Sequence, residues 1–518
     1  MYPGAHLEAG SDRPAVIMAT TGETVSFAEL EANSIRIARL FLELGLQRGD
    51  NVAVLTTNSP RVFDLYWAAM RSGLYITMVN WHLTAAEAAY IVEDCGAKTL
   101  VVDAALGEMA TELSGLTPGI EHRLSIQGTV LGYADLDEAA ARQSCVPLAD
   151  QPRGADMLYS SGTTGRPKGI KPPLPDRQIG DPGDTVTTTY KEVWGVSPGD
   201  VYLSPAPLYH AGPLRVCAAI QALGGTVVVM DRFDAEKTLE YIEKYRVTHS
   251  QWVPTMFVRL LRLPEETRRR YDLSSMRIAN HAAAPCPIEI KRQMIDWWGP
   301  IIFEYYSSTE MNGSTIVNTE DWLRKPGTVG RAALGVLHIC GANGNELPAG
   351  EIGSIYFERD ELPFQYHNDP DKTRAAQHPD HPTWTTTGDV GYVDADGYLF
   401  LTDRDSFMII SGGVNIYPQE IENLLIEHPK VLDAGVIGIP DEDMGELVTA
   451  MVKPIEGVHG DDALAAELLE HLRGRIAKYK VPRRIIFIDD MPRTMTGKLI
   501  KRDLVQQAVR VPGEDHPE

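Results

Sequence analysis

Short apolar runs alternating with amphipathic stretches constrain this chain most, because a parallel sheet covered by helices satisfies that rhythm. Asn51–Leu55 reads as a strand, Asn58-Ser59-Pro60 as the cap and opening of a helix to about Arg71, and Tyr75–Val79 as the next strand. A helix through Ala85–Cys95 should stop near Gly96, before strand Thr99–Val102. Thr226–Met230 reads as another buried strand, and Asp234 caps a helix with Leu239, Ile242 and Tyr245 on one face. The expected class is therefore α/β.

Past about residue 330 the pattern changes. Glu351–Glu358 and Tyr392–Leu401 read as short strands, the latter folded by the Asp396-Gly397 turn. Pro418 opens a helix with Ile421, Leu424 and Leu425 inward. Strand Val431–Ile439, helix Asp462–Lys478 and strand Arg484–Ile488 complete a smaller unit. The boundary falls at Asp403–Ser406, which divides the chain into 1–405 and 406–518.

Acidic residues outnumber basic ones 71 to 48, for a formal charge of −23, so a general basic surface for nucleic acid is excluded. Five scattered cysteines without CxxC spacing predict neither a disulfide framework nor a zinc cluster, and fit a reducing cytoplasm. No signal peptide or membrane-spanning run is expected.

The stretch Tyr159-Ser160-Ser161-Gly162-Thr163-Thr164-Gly165-Arg166-Pro167-Lys168-Gly169 carries the most chemistry. Small and hydroxylated residues let backbone N–H groups reach phosphate oxygens, and Lys168 adds a point charge for a polyphosphate. A Walker loop needs Gly before the Lys and Ser or Thr after it; Pro167 and Gly169 stand there instead.

With this loop the chain resembles the adenylate-forming superfamily, which includes acyl-CoA and aryl-CoA synthetases, beetle luciferases and adenylation domains. Its wording, including His281-Ala282-Ala283-Ala284-Pro285-Cys286-Pro287, is similar to that of fatty-acid and bile-acid CoA ligases. The resemblance implies a large multi-layer unit of helix-covered sheets with a small β-barrel, followed by a smaller mobile α+β unit. It also implies ATP, Mg²⁺ and coenzyme A as cofactor or co-substrates. Only small-molecule partners are expected, and a homodimer is compatible with the sequence.

The resemblance assigns roles residue by residue. In Tyr305-Tyr306-Ser307-Ser308-Thr309-Glu310, Tyr306 would stack on adenine, Thr309 would bind the α-phosphate, and Glu310 with Thr163 would hold Mg²⁺. Ala283, Ala284 and Pro285 would lie along adenine. Asp389, in Thr387-Gly388-Asp389, and Arg404 would bind the ribose. His210 would sit beside the acid's carboxylate, with Trp252, Met256 and His281 on the acyl-pocket wall. Lys498, in Pro492-Arg493-Thr494-Met495-Thr496-Gly497-Lys498, would bridge carboxylate and α-phosphate. Ser411-Gly412-Gly413 would face the site during thioester formation, and Ser406 would be the hinge. Ser406 and Phe407 depart from the family's usual charged hinge, and Lys171–Asp184 is unlike most relatives. An aryl-acid ligase, an amino-acid adenylation domain, a ligase loading a carrier protein and a non-turnover nucleotide-binding protein are the alternative readings.

Overall fold

The computed structural model describes residues 1–7, 12–160, 167–404, 407–411, 414–441, 444–473, 475–493 and 499–510. Two large sheets dominate the first four hundred residues. The six-stranded one is parallel throughout, in the order 134–135, 122–126, 97–103, 51–55, 75–79, 155–156. Asn51–Leu55 and Tyr75–Val79 are buried at every position, as a parallel strand covered on both faces must be.

The nine-stranded sheet runs 331–334, 314–317, 302–307, 278–281, 249–252, 201–204, 226–229, 14–18, 24–26. Its middle is parallel and both ends are antiparallel. Helices Phe27–Glu43, Arg61–Met70 and Ala211–Ala222 pack between the two sheets in one large apolar cluster. A separate antiparallel sheet of five strands, 336–340, 353–358, 384–385, 389–393 and 399–404, stands where the small barrel was expected. Residues 407 onward form another five-stranded sheet with helices Pro418–Glu427 and Asp462–Leu472 on its own core.

Two local expectations need correcting. Within the expected Asn58-Ser59-Pro60 cap, Ser59 Oγ accepts the Arg61 N–H (3.2 Å), but Asn58 does not cap the helix; its amide donates to the carbonyls of Ala206 (3.2 Å) and Met230 (2.8 Å) and accepts from the Leu208 N–H (2.9 Å). It thereby pins the loop leading to His210. The helix from Asp462 ends at Leu472, not Lys478, because Arg473 turns extended just before Gly474, a residue type that weakens helices.

Candidate active site

A cleft of ≈ 1700 Å³ opens between the sheets and is closed on one side by the C-terminal unit. Ser160 and Lys168 enter it from paired antiparallel strands, facing each other in register. Ser161, Gly162, Thr163, Thr164 and Gly165 lie outside the described residues. Lys168 Nζ sits 5.1 Å from the centre of the Tyr366 ring, and the Tyr366 hydroxyl donates to Glu310 Oε1 at 2.9 Å. Tyr366 thus links the basic and acidic groups expected to meet a metal–polyphosphate. Among the described residues no cluster of three or more acidic, His or Cys side chains is placed to hold a metal.

Thr309 is held from behind. Arg215, on helix Ala211–Ala222, donates to the Thr309 carbonyl at 3.1 Å. Its other guanidinium nitrogens grip both oxygens of Asp156 at 2.7 and 3.0 Å, and the pair is largely buried. No local pattern announces this pair, because its members are 59 residues apart and each resembles an ordinary surface charge.

Tyr305 and Tyr306 are neighbours on one strand, so their side chains point to opposite faces. Tyr305 lines the cleft; Tyr306 does not, and its hydroxyl donates to Asp389 Oδ2 at 2.7 Å, where Thr387 also donates at 2.8 Å. Asp389 in turn pairs with Arg404 across the hairpin backbone. His210 lines the cleft at the N-cap position of helix Ala211–Ala222, and its ring packs 4.5 Å from that of Tyr209. The strand Ile278–His281 feeds a turn in which Ala282 and Ala283 line the cleft, while Ala284 and Pro285 do not. Ala283 takes φ 75°, a left-handed conformation costing a non-glycine residue roughly 1–2 kcal/mol.

Two acyl-pocket assignments are corrected. Met256 is buried in the core under the sheet and does not line the cleft. His281 is fully buried, 3.5 Å from the Glu304 carboxylate, which also pairs with buried Lys291 at 2.6 Å. The causes differ: alternation along a strand sends His281 inward, whereas Met256 lies on the core-facing side of helix Pro254–Leu261. Trp252 borders the cleft, but it stands in register with His281 and its side chain is fully buried in the same core as Met256, its ring 5.2 Å from that of Trp298.

From the C-terminal unit, Phe407, Arg493 and residues 499–503 line the cleft. Ser411 is buried in its own sheet and is not among the lining residues. Ser406, Gly412, Gly413 and Lys498 lie outside the described residues.

Burial first, and then the neighbouring His82, lower the His210 pKa from 6.5 to about 4. Because the folded value lies below the unfolded one, the associated stability is complete above pH 6.5 and is lost as pH falls toward 4. His210 is therefore an uncharged hydrogen-bonding group at neutral pH. The expected kcat/KM profile shows no His210 ionisation near 6.5. An inflection there that disappears in His210→Asn would contradict this picture.

A model described as "AMP-binding enzyme" matches residues 5–365, and one for the "AMP-binding enzyme C-terminal domain" matches 420–498. The long-chain-fatty-acid–CoA ligase FadD13 of Mycobacterium tuberculosis is 30% identical over 501 residues, covering 95% of each chain. The indoleacetate–CoA ligase of Aromatoleum aromaticum is 32% identical over 495 residues, covering 94% of each. Among solved structures, ATP-bound MatB from Rhodopseudomonas palustris superposes with a TM-score of 0.83 at 31% identity, covering 98% of this chain and 99% of that one. The chain belongs to the AMP-binding enzyme family, in the company of acyl-CoA and aryl-CoA ligases.

Proposed function

We propose that this protein is an AMP-forming acid–CoA ligase: it adenylates a hydrophobic carboxylic acid with release of pyrophosphate, then transfers the acyl group to CoA. The observation that carries this reading is the convergence on one cleft of Lys168, Thr309, Glu310 and His210 with the residues on both sides of Lys498. We take 1–405 and 406–518 as the two working units, joined near Ser406.

The difficulty of the first step is electrostatic, since a carboxylate must attack an anionic α-phosphate. Lys168 holds the polyphosphate, and Thr309, fixed through its own carbonyl by Arg215, donates to the α-phosphate. Neutral His210 hydrogen-bonds the acid's carboxylate without neutralising its nucleophilic charge. Asp389 and Arg404 orient the ribose. Mg²⁺ is held by one or two protein carboxylates plus substrate phosphates, so Glu310 in the cleft fits such an ion as its single carboxylate. When bound, the ion offsets phosphate charge. The apolar side chains of Val186, Val216, Ile316 and Leu334 in the cleft lining support an apolar substrate.

Purified protein with acid, ATP, Mg²⁺ and CoA should yield acyl-CoA, AMP and pyrophosphate. ADP as the product would overturn the reading. Thioester formation with a carrier protein but not with CoA would favour the carrier-loading alternative, and stoichiometric AMP binding without pyrophosphate release would favour a non-turnover binder.

A further inference from the structure

One guanidinium of the larger unit reaches across to the C-terminal unit, and the chemistry above does not use it. Arg262 stands at the C-cap of helix Pro254–Leu261, and its Nη2 donates to the carbonyls of Val431 (2.9 Å) and Leu432 (3.1 Å). Met256, Phe257 and Leu260 bury that helix in the core, so the arginine projects from a rigid base. Both accepting carbonyls lie at an irregularity in strand Val431–Asp441. Its pairing with strand Gly445–Pro454 sets Val431 opposite Pro454 and Asp433 opposite Lys453, and skips Leu432. Such a bulge disrupts the ladder locally, and the two hydrogens of one guanidinium nitrogen serve the two carbonyls there.

The next residue leads to the segment that carries Lys498. Asp433 accepts from Arg493 Nε at 2.6 Å and from Nη2 at 2.7 Å, a bidentate pair that fixes geometry as well as charge. Arg493 lines the cleft and pairs with Leu499 in an isolated antiparallel bridge, and the Ile500 N–H donates to the Pro492 carbonyl at 2.8 Å. The residues on both sides of 494–498 are thus held together beside the cleft and anchored through Asp433. Arg262 grips the backbone immediately before that anchor. Rotation about Ser406 would carry residues 431 and 432 away from it. A contact made in one arrangement and lost in another shifts the balance between the two.

We propose that Arg262 is a positioning residue for adenylation, seating the C-terminal unit so that the Lys498 segment faces the cleft. The proposal rests on the acid–CoA ligase reading and its two half-reactions. The test uses the full chain and whichever acid of a panel of fatty, aryl and short-chain acids turns over best. Because Arg262 is exposed, Arg262→Gln should fold with an unchanged thermal midpoint. Pyrophosphate release should slow about tenfold, the low end for hydrogen bonds from a charged donor. Conversion of the supplied acyl-adenylate and CoA to thioester should not slow, a division that a packing role would not produce. In a Lys498→Ala background the same substitution should slow adenylation by less than about threefold further, because its effect runs through that lysine. Equal losses in both halves, an unchanged adenylation rate, or the full tenfold loss recurring in the Lys498→Ala background would overturn the proposal while leaving the ligase reading intact. No pyrophosphate release from the wild-type protein with any acid of the panel would overturn the ligase reading itself.

Discussion

Replacing Lys498 by alanine should lower adenylate formation by roughly 10²–10³-fold while leaving the conversion of supplied acyl-adenylate and CoA to thioester near its normal rate. The first effect is the loss of a cation acting on charge that develops only in the transition state. The second follows from the proposed division of labour between the two half-reactions. Arg493 and Leu499, which flank the Lys498 segment, line the cleft in this arrangement, whereas Ser411 is buried in its own sheet. Rotation of the C-terminal unit about Ser406 would exchange the Lys498 segment for the Ser411-Gly412-Gly413 segment. A bulky replacement at Gly413 should then spare adenylation and slow thioester formation. Stopped-flow measurement of each half-reaction decides the matter. Equal losses in both halves for folded Lys498→Ala would refute domain alternation.

A comparably large effect is expected at Arg215, through stability as well as rate. Arg215→Met leaves the Asp156 carboxylate buried without its cation, a change that typically destabilises by about 3–5 kcal/mol. The thermal midpoint should fall clearly, and adenylation should fall with it because the Thr309 carbonyl loses its donor. Removing both charges in Asp156→Leu/Arg215→Met should recover most of the stability, since apolar replacements of buried pairs are often neutral. The rate should remain about tenfold or more below wild type if Arg215 positions Thr309. Recovery of the rate together with stability would reduce Arg215 to a packing role.

Much of this architecture is legible in the residues, for a physical reason. A strand buried on both faces is mostly apolar, with the buried Asn51 and Thr77 bonded to each other, so Asn51–Leu55 and Tyr75–Val79 stand out, and the Asp396-Gly397 turn specifies its hairpin chemically. Asn58 departs from the capping expectation because an amide that caps a helix and one that ties two distant loops look alike in one dimension. Site residues in contiguous motifs, such as Thr309 and Glu310, come to the cleft as the motif suggests. His281 and Met256 fail because adjacency along the chain does not say which face a side chain takes. The supports that need a second, remote segment stay invisible: Asp156 for Arg215, Tyr366 for Glu310, and Gln251 for Tyr305. Each depends on the finished topology.

The order of strands in the nine-stranded sheet has a consequence for biosynthesis. Pro14–Met18 pairs in parallel with Thr226–Val229, Val16 opposite Val227, so partners separated by 211 residues meet inside one sheet. At roughly 5–20 residues per second, the earlier strand waits on the order of 10–40 s after leaving the ribosome before its partner emerges. During that interval Ala15, Val16 and Met18, all buried in the finished fold, have no sheet to join. The neighbouring Thr24–Ser26 strand can form a hairpin with it at once, and helix Phe27–Glu43 follows behind a complete capping box on Ser26 and Glu29. A local hairpin and a self-capped helix thus shelter an aggregation-prone segment until the remote strand arrives.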